Sequence, residues 1–237
     1  MNRNGSVVFE PLLIVSRSVR TSRNRETPPL HLWVSKLAYP VTALGPGERL
    51  ALWVSGCGLR CRGCITPNLW DRHAGVRKTT GAVAERLLAV SRRLDGLTIT
   101  GGEPFEQAGA LAELLRQIRA ARPHWSVLIY SGHTLASLRR HGAEEEGLLG
   151  QTDVLIDGPY RSDRPARHPL AGSGNQTVHL LTERGRGMLE QIKALPMAHA
   201  NLGFGTNDDD DWLIGVMDPA TRRAINTRLG ARSSRRT

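Results

Sequence analysis

The sequence predicts an α/β fold in which strands and helices alternate around a mostly parallel sheet. Short apolar runs bounded by turn residues recur along the chain, and segments with apolar residues at helical spacing stand between them. At 237 residues the chain is long enough for one domain of generous size or two small ones. Several apolar runs end in glycine-containing segments. Because the carboxyl ends of parallel strands meet at one edge of a sheet, these segments are expected to converge on one site.

The first two strands are predicted on either side of a turn. Residues 31–38 alternate between polar and apolar side chains, and residues 49–54 form a short apolar run after the turn residues 44–47. Further elements are predicted as a helix that begins at Thr79 or Thr80, a strand at 97–100, a helix at about 107–121, a strand at 127–130, a short helix at 135–140, strands at 153–158 and 177–181, and a hairpin at 201–216. The folded domain is therefore expected to span residues 30–218.

The positive charge is concentrated at the two ends of the chain. The net charge is +10, of which residues 1–30 carry +3 and residues 219–237 carry +6, so the body carries only +1. Residues 1–29 and 219–237 are therefore expected to be basic, flexible segments. No basic face with interleaved aromatic residues occurs in the body, which argues against nucleic-acid binding as the main function.

The sequence predicts neither a membrane-spanning helix nor a secretory signal. Its longest apolar runs, such as residues 11–15, are far shorter than the roughly 18 residues of a membrane-spanning helix. No apolar run near the amino terminus ends in a small-residue cleavage site. A cytoplasmic location is expected.

The three cysteines of the chain lie within eight residues, directly after the predicted strand 49–54. Cys57, Cys61 and Cys64 form a CxxxCxxC pattern. Clustered cysteines in an intracellular protein favour metal binding over disulfides. Three thiolates can bind three irons of a [4Fe-4S] cluster and leave the fourth iron open to a cofactor or substrate.

Several motifs, taken in order, resemble one known family. The motifs are GPGER at 45–49, SGCGLRCRGC at 55–64, Trp70-Asp71, GGEP at 101–104, Tyr130-Ser131-Gly132, Ile156-Asp157-Gly158 and GSGNQ at 172–176. Together they resemble the radical S-adenosylmethionine (SAM) superfamily and, within it, the activating proteins of anaerobic ribonucleotide reductase. The resemblance covers roughly residues 30–182 and implies a partial (βα) barrel with the cluster loop after the first barrel strand.

The resemblance also implies roles for individual residues. Cys57, Cys61 and Cys64 would hold the cluster. SAM would be bound by Gly63, Cys64, Ile65, Gly101, Gly102, Glu103, Pro104, Ser131 and Gly132. Asp157, Ser173, Asn175 and Gln176 would help to receive a partner peptide, although a structural role in closing the sheet remains open for each of these four residues.

The activity implied is reductive cleavage of SAM to a 5′-deoxyadenosyl radical, which takes a hydrogen atom from a backbone glycine of a partner glycyl radical enzyme. The implied electron donor is a flavodoxin or ferredoxin. The absence of a long extension over the site in the later chain favours a mouth open to a partner loop.

Two alternatives remain from the sequence. One is a radical SAM enzyme that modifies a small molecule, such as a purine-like compound or a natural-product intermediate. The other is a non-catalytic iron–sulfur or zinc module, although three cysteines are one ligand short of a closed zinc site and such a module leaves GGEP without a role.

Overall fold

A computed structural model describes residues 29–197, 202–206 and 211–216, together with residues 221, 224, 225 and 227. The predicted flexible segments 1–29 and 219–237 lie almost entirely outside these residues. The domain bounds 30–218 therefore stay a prediction.

A seven-stranded sheet forms the centre of the molecule, and a two-stranded hairpin is separate from it. The strands are β1 (His31–Val41), β2 (Arg49–Val54), β3 (Val76–Thr79), β4 (Gly96–Gly101), β5 (Ser126–Tyr130), β6 (Val154–Asp157), β7 (Thr177–Leu180), β8 (Leu202–Thr206) and β9 (Asp211–Gly215). The α-helices are α1 (Thr80–Leu88), α2 (Ala108–Ala121), α3 (Leu135–Leu138), α4 (Ala143–Leu149), α5 (Glu183–Gly187) and α6 (Leu189–Lys193). The prediction of an α/β fold is confirmed.

The strand order in the large sheet is β3-β1-β2-β4-β5-β6-β7. Neighbours from β2 to β6 pair in parallel, whereas β1, β3 and β7 pair antiparallel with the strands beside them. The sheet is thus parallel at its centre and antiparallel at its edges. The carboxyl ends of β2, β4, β5 and β6 meet at one edge, as expected from the strand–helix alternation.

The predicted elements occur close to their expected positions. Strand β2 has the predicted bounds, and the predicted hairpin at 201–216 is formed by β8 and β9. Thr79, rather than Thr80, caps α1, because its side chain accepts a hydrogen bond from Ala82 N. Strand β3 and the helices α4, α5 and α6 have no counterpart in the predicted set.

Alternate residues of the strands face two different environments. Leu50, Leu52 and Ile99 lie in a large apolar core with the helices. Arg49, Ala51 and Trp53 point to the opposite face, because successive side chains of a strand alternate. The opposite face of the sheet contains the cavity described below. No helix among the described residues is long and apolar enough to cross a bilayer.

Candidate functional site

A cavity of about 440 Å³ opens at the carboxyl ends of the parallel strands. Its wall includes Cys57, Cys61 and Cys64, which follow β2, and the segment Gly101–Glu103 at the end of β4. Ser131 and Gly132, at the end of β5, complete this side. The structure therefore brings the predicted cluster ligands and most of the predicted SAM-binding residues to one cavity.

Backbone hydrogen bonds hold the cysteine loop in place. Gly56 N donates to Leu69 O at 2.9 Å, and Cys57 N donates to Trp70 O at 3.0 Å. Further along the loop, Cys64 N donates to Cys61 O at 3.1 Å. These bonds fix the start of the loop against residues 69 and 70 and close a turn between Cys61 and Cys64.

The cysteine loop is also bonded to the segment that follows β4. Glu103 N donates to Gly56 O at 2.8 Å, and Thr66 Oγ1 donates to Gly101 O at 3.2 Å. A Cβ atom on Gly102 would lie 2.3 Å from Gly56 O, which is closer than any side chain can approach. Glycine at position 102 is therefore required by the contact between the two loops.

Glu103 connects the ends of β4 and β5. Its carboxylate accepts hydrogen bonds from Ser131 Oγ at 2.9 Å, from Gly132 N at 2.8 Å and from Phe105 N at 3.0 Å. The side chain is fully buried, and this burial raises the pKa of its carboxyl to about 7. Among the described residues that line the cavity, Glu103 is the only carboxylic acid.

The donor set of the cavity fits a [4Fe-4S] cluster. All three thiols line one cavity, and burial raises the pKa of both Cys57 and Cys61. In the described part of the chain, no three Cys, His, Asp or Glu side chains converge on a single ion. A four-iron cluster does not need such convergence, because each thiolate binds a different iron.

The remaining predicted SAM-binding residues are close to the cavity but do not all line it. Ile65 is part of its wall and is 41% exposed. Gly63 and Pro104 are not among the lining residues. Gly63 has a φ of +80°, which favours glycine, and a Cβ atom there would lie 3.2 Å from Ser162 Cβ.

Of the four predicted partner-contact residues, only Gln176 lines the cavity. Its Oε1 accepts from Gly172 N and Ser173 N, and its Nε2 donates to Gly158 O at 3.0 Å. Gln176 therefore has its amide bonded to the backbone of the surrounding loops.

The other three predicted partner-contact residues are not among the residues that line the cavity. Ser173 Oγ accepts from Arg161 N at 3.1 Å, and Asn175 Nδ2 donates to Pro159 O at 2.7 Å. Asp157 accepts from Leu135 N at 2.6 Å and lies 3.0 Å from Nε2 of His179. These bonds give each residue a structural role, and contact with a partner peptide stays a prediction.

Sequence reasoning missed the residues that line the other side of the cavity. These are Leu44, Trp53, Tyr130, Leu213, Ile214, Val216 and Ile225. The period-two pattern of β2 would have placed Trp53 on the face opposite Leu52, but nothing local indicates that β9 reaches this cavity. The later chain thus contributes β9 to the wall of the cavity, and an open mouth for a partner loop stays a prediction.

Arg49 belongs to the GPGER motif, and its sequence context does not predict its position. It is completely buried on the cavity face of the sheet. Its guanidinium donates to Thr98 Oγ1 at 2.7 Å, to Ser126 Oγ at 2.9 Å, and to the carbonyl oxygens of Leu97, Ser126 and Pro46. Burial lowers the pKa of Arg49 to about 10, so the side chain remains a cation at neutral pH.

Comparison with known proteins finds similarity over most of this region. The family described as "4Fe-4S single cluster domain" matches residues 43–179. The anaerobic ribonucleoside-triphosphate reductase-activating protein of Vibrio cholerae is 32% identical over 155 residues, which cover 61% of this chain and 96% of that protein. The protein of the same name from Pasteurella multocida is 30% identical over 152 residues, covering 61% of this chain and 96% of the relative.

A solved structure, that of QueE from Escherichia coli, is similar with a TM-score of 0.42 and 14% identity, and the match covers 68% of this chain and 67% of that one.

Proposed function

The chain belongs to the family of anaerobic ribonucleoside-triphosphate reductase-activating proteins, and on this basis we propose that it installs a glycyl radical in a partner reductase. The observation that carries the proposal is the cavity in which Cys57, Cys61 and Cys64 meet the ends of β4 and β5. Cytoplasmic location and a flavodoxin or ferredoxin as electron donor belong to the same proposal.

The three cysteines would hold a [4Fe-4S] cluster, and the segments 101–104 and 131–132, together with Ile65, would hold SAM. When bound, these groups supply reductive carbon–sulfur cleavage and hydrogen-atom abstraction. The protein needs little acid or base machinery of its own for this chemistry. Its part is to bind, to orient and to exclude water.

The thiols of the cysteines must lose their protons before they can bind iron. Because burial raises the pKa of Cys57 and Cys61, both are protonated at neutral pH in the metal-free protein. Binding of iron therefore releases protons, and cluster assembly is favoured by higher pH.

The ends of β4 and β5 provide orientation. Glu103 accepts two hydrogen bonds from the end of β5 that hold the two strand ends together, and a third from Phe105 N in its own segment. A carboxyl with a pKa of about 7 is easily deprotonated when a cation is placed beside it, because an opposite charge favours the ionised form. Glu103 is thus suited to face the ammonium group of SAM, either directly or through the adjacent backbone.

The described lining of the cavity is mostly uncharged. Apart from Glu103, the described lining residues carry no carboxylate, lysine or arginine, and Leu59, Ile65 and Trp70 line the same cavity as the cysteines. Once the cavity is closed by its ligands and partner, such a lining would help to keep solvent from a reactive species.

The test is anaerobic reconstitution with iron and sulfide, followed by reduction in the presence of SAM. We expect about four irons per chain, formation of 5′-deoxyadenosine, and a glycyl radical detected by electron paramagnetic resonance when the anaerobic ribonucleoside-triphosphate reductase of the same cell is added. A protein that binds four irons and forms no 5′-deoxyadenosine would contradict the proposal. Formation of 5′-deoxyadenosine with no radical on that reductase would favour a small-molecule substrate.

A further inference from the structure

The hairpin of β8 and β9 lies outside the part of the chain that the family profile matches. The profile ends at residue 179, whereas the hairpin spans Leu202–Thr206 and Asp211–Gly215. The Vibrio cholerae relative is matched over 96% of its length by only 61% of this chain. The hairpin is therefore structure beyond the segment that the profile describes.

The hairpin packs on the cavity face of the large sheet. Ile214 of β9 is only 6% exposed and lies in an apolar cluster with Ala38, Val41, Leu44 and Ala51. Val216, which follows β9, packs against the same cluster beside Trp53 and Tyr130. Contacts with β1, β2 and β5 thus fix β9 beside the cavity.

The cavity consequently has two different sides. The cofactor side contains the cysteines and Glu103, and the opposite side, here called the hairpin wall, consists of Leu44, Trp53, Leu213, Ile214 and Val216. None of these five described residues carries a charged side chain. A charged group placed against the hairpin wall would lose its water without gaining a partner, whereas an apolar group would gain from being buried.

We propose that the hairpin wall selects the substrate of this protein by admitting an uncharged, mainly apolar peptide segment. This inference rests on the proposed function, under which the segment is the part of the partner that flanks the reacting glycine.

The first test compares three variants for the fraction of SAM cleavage events that lead to a glycyl radical on the partner. For each, the glycyl radical formed on the reductase is divided by the 5′-deoxyadenosine formed under the same conditions. We expect this ratio to fall about tenfold in Ile214→Asn and less than twofold in Ile214→Val. The matched control Leu189→Asn places the same polar group on α6, at a residue that is 40% exposed and remote from the cavity lining, and its ratio should equal that of the wild type.

If Ile214→Asn fails to bind iron or melts at a lower temperature, Val216→Asn takes its place, since Val216 belongs to the same wall and is only partly buried. A well-folded Asn variant with the wild-type ratio would overturn the proposal.

The second test does not depend on SAM cleavage. Val216 is replaced by the photo-crosslinking residue p-benzoylphenylalanine, and the reductase is irradiated with the variant and digested for mass spectrometry. We expect crosslinks to uncharged residues that flank the reacting glycine, and none from the same residue placed at position 189. Crosslinks only to charged or distant surface segments, or none, would overturn the proposal. Absence of 5′-deoxyadenosine from the wild type would instead contradict the proposed function, and the crosslinks would still report on the hairpin wall.

Discussion

The two faces of the large sheet are built from alternate residues of the same strands, but they differ in the polarity of their buried residues. On the helix-covered face, Leu97, Ile99 and Ile129 are completely buried among apolar side chains. On the cavity face, Arg49 and Thr98 are equally buried, but they are held by hydrogen bonds. The helix-covered face is thus mainly apolar, whereas the cavity face combines apolar clusters with buried polar groups.

The polar groups of the cavity face are expensive to bury, and Arg49 and Thr98 are satisfied by specific partners. Arg49 alone makes five hydrogen bonds to neutral acceptors from the segments around β2, β4 and β5. Such bonds need defined geometry, whereas apolar packing tolerates adjustment. Substitution of the buried residues of either face should therefore change stability, whereas substitutions in the loops that line the cavity should change function.

The largest effect is expected from Cys61→Ala. Removal of one of three thiolates leaves two irons at most with protein ligands, so the cluster should not persist. We expect loss of the visible iron–sulfur absorbance and loss of 5′-deoxyadenosine formation, without a large change in melting temperature of the metal-free protein. An unchanged absorbance spectrum would contradict the ligand assignment.

Leu114→Ala tests the contribution of the helix-covered face to stability. Leu114 lies on α2, has no exposed surface and belongs to the main core. Its truncation should lower the free energy of unfolding by about 3 kcal/mol, measured by urea titration, because a cavity is left in a close-packed region. Activity per folded molecule should stay within about twofold of the wild type. A large loss of activity in the folded protein would break the distinction between the buried residues and the loops that line the cavity.

Much of the sheet could be predicted because its signals are local. The apolar run 49–54 between turn residues gave β2 its bounds, and GGEP placed the end of β4 correctly. The order of the motifs predicted the family, and the match to a 4Fe-4S family confirms that resemblance, while the assignment of the three cysteines as cluster ligands stays a prediction. Individual SAM contacts and partner contacts remain predictions, because their geometry depends on groups other than the chain.

Glu103→Gln tests the burial of a carboxyl on the cavity face. Since burial raises the pKa of Glu103 from 4.5 to about 7, the folded protein binds more protons than the unfolded chain between these values. Stability from this group is fully present below about pH 4.5 and is lost as the pH rises through about 7. The loss amounts to up to about 3 kcal/mol.

The measurement is urea unfolding of the metal-free wild type and Glu103→Gln at intervals from pH 5 to pH 8. Glutamine cannot titrate at this position. The free energy of unfolding of the wild type should therefore fall relative to that of Glu103→Gln as the pH rises from 5 to 8. Parallel curves would show that the Glu103 carboxyl has an ordinary pKa.

Gly102→Ala should have a smaller but sharply local effect. The added Cβ would lie 2.3 Å from Gly56 O, so the cysteine loop must move away from the end of β4. We expect 5′-deoxyadenosine formation to fall about tenfold, which corresponds to about 1.4 kcal/mol in the activation free energy.

The matched control is Gly81→Ala on α1, where an added Cβ meets no atom within 4 Å. This change should stabilise the protein by about 0.5–1 kcal/mol and leave the rate unaltered. Equal rates in Gly102→Ala and Gly81→Ala would show that the cysteine loop tolerates displacement.

The features that could not be predicted depend on contacts between distant parts of the chain. Arg49 lies in a turn motif, and only the paired strands reveal that Thr98 and Ser126 surround its guanidinium. Likewise, the apolar pattern of β9 predicts a strand but not the surface on which Ile214 is buried. Local periodicity determines which residues share a face, whereas the partner of that face follows from tertiary packing.

The bonds that anchor the cysteine loop have a consequence for repair. Gly56, Cys57 and Glu103 are joined to neighbouring segments through backbone atoms, and none of these bonds uses a cysteine sulfur. The ordering entropy of the loop is therefore met when the chain folds rather than when the cluster arrives. A protein that loses its cluster to oxygen should keep the anchored ends of the cysteine loop in place. Added iron and sulfide should then rebuild the cluster without refolding of the chain.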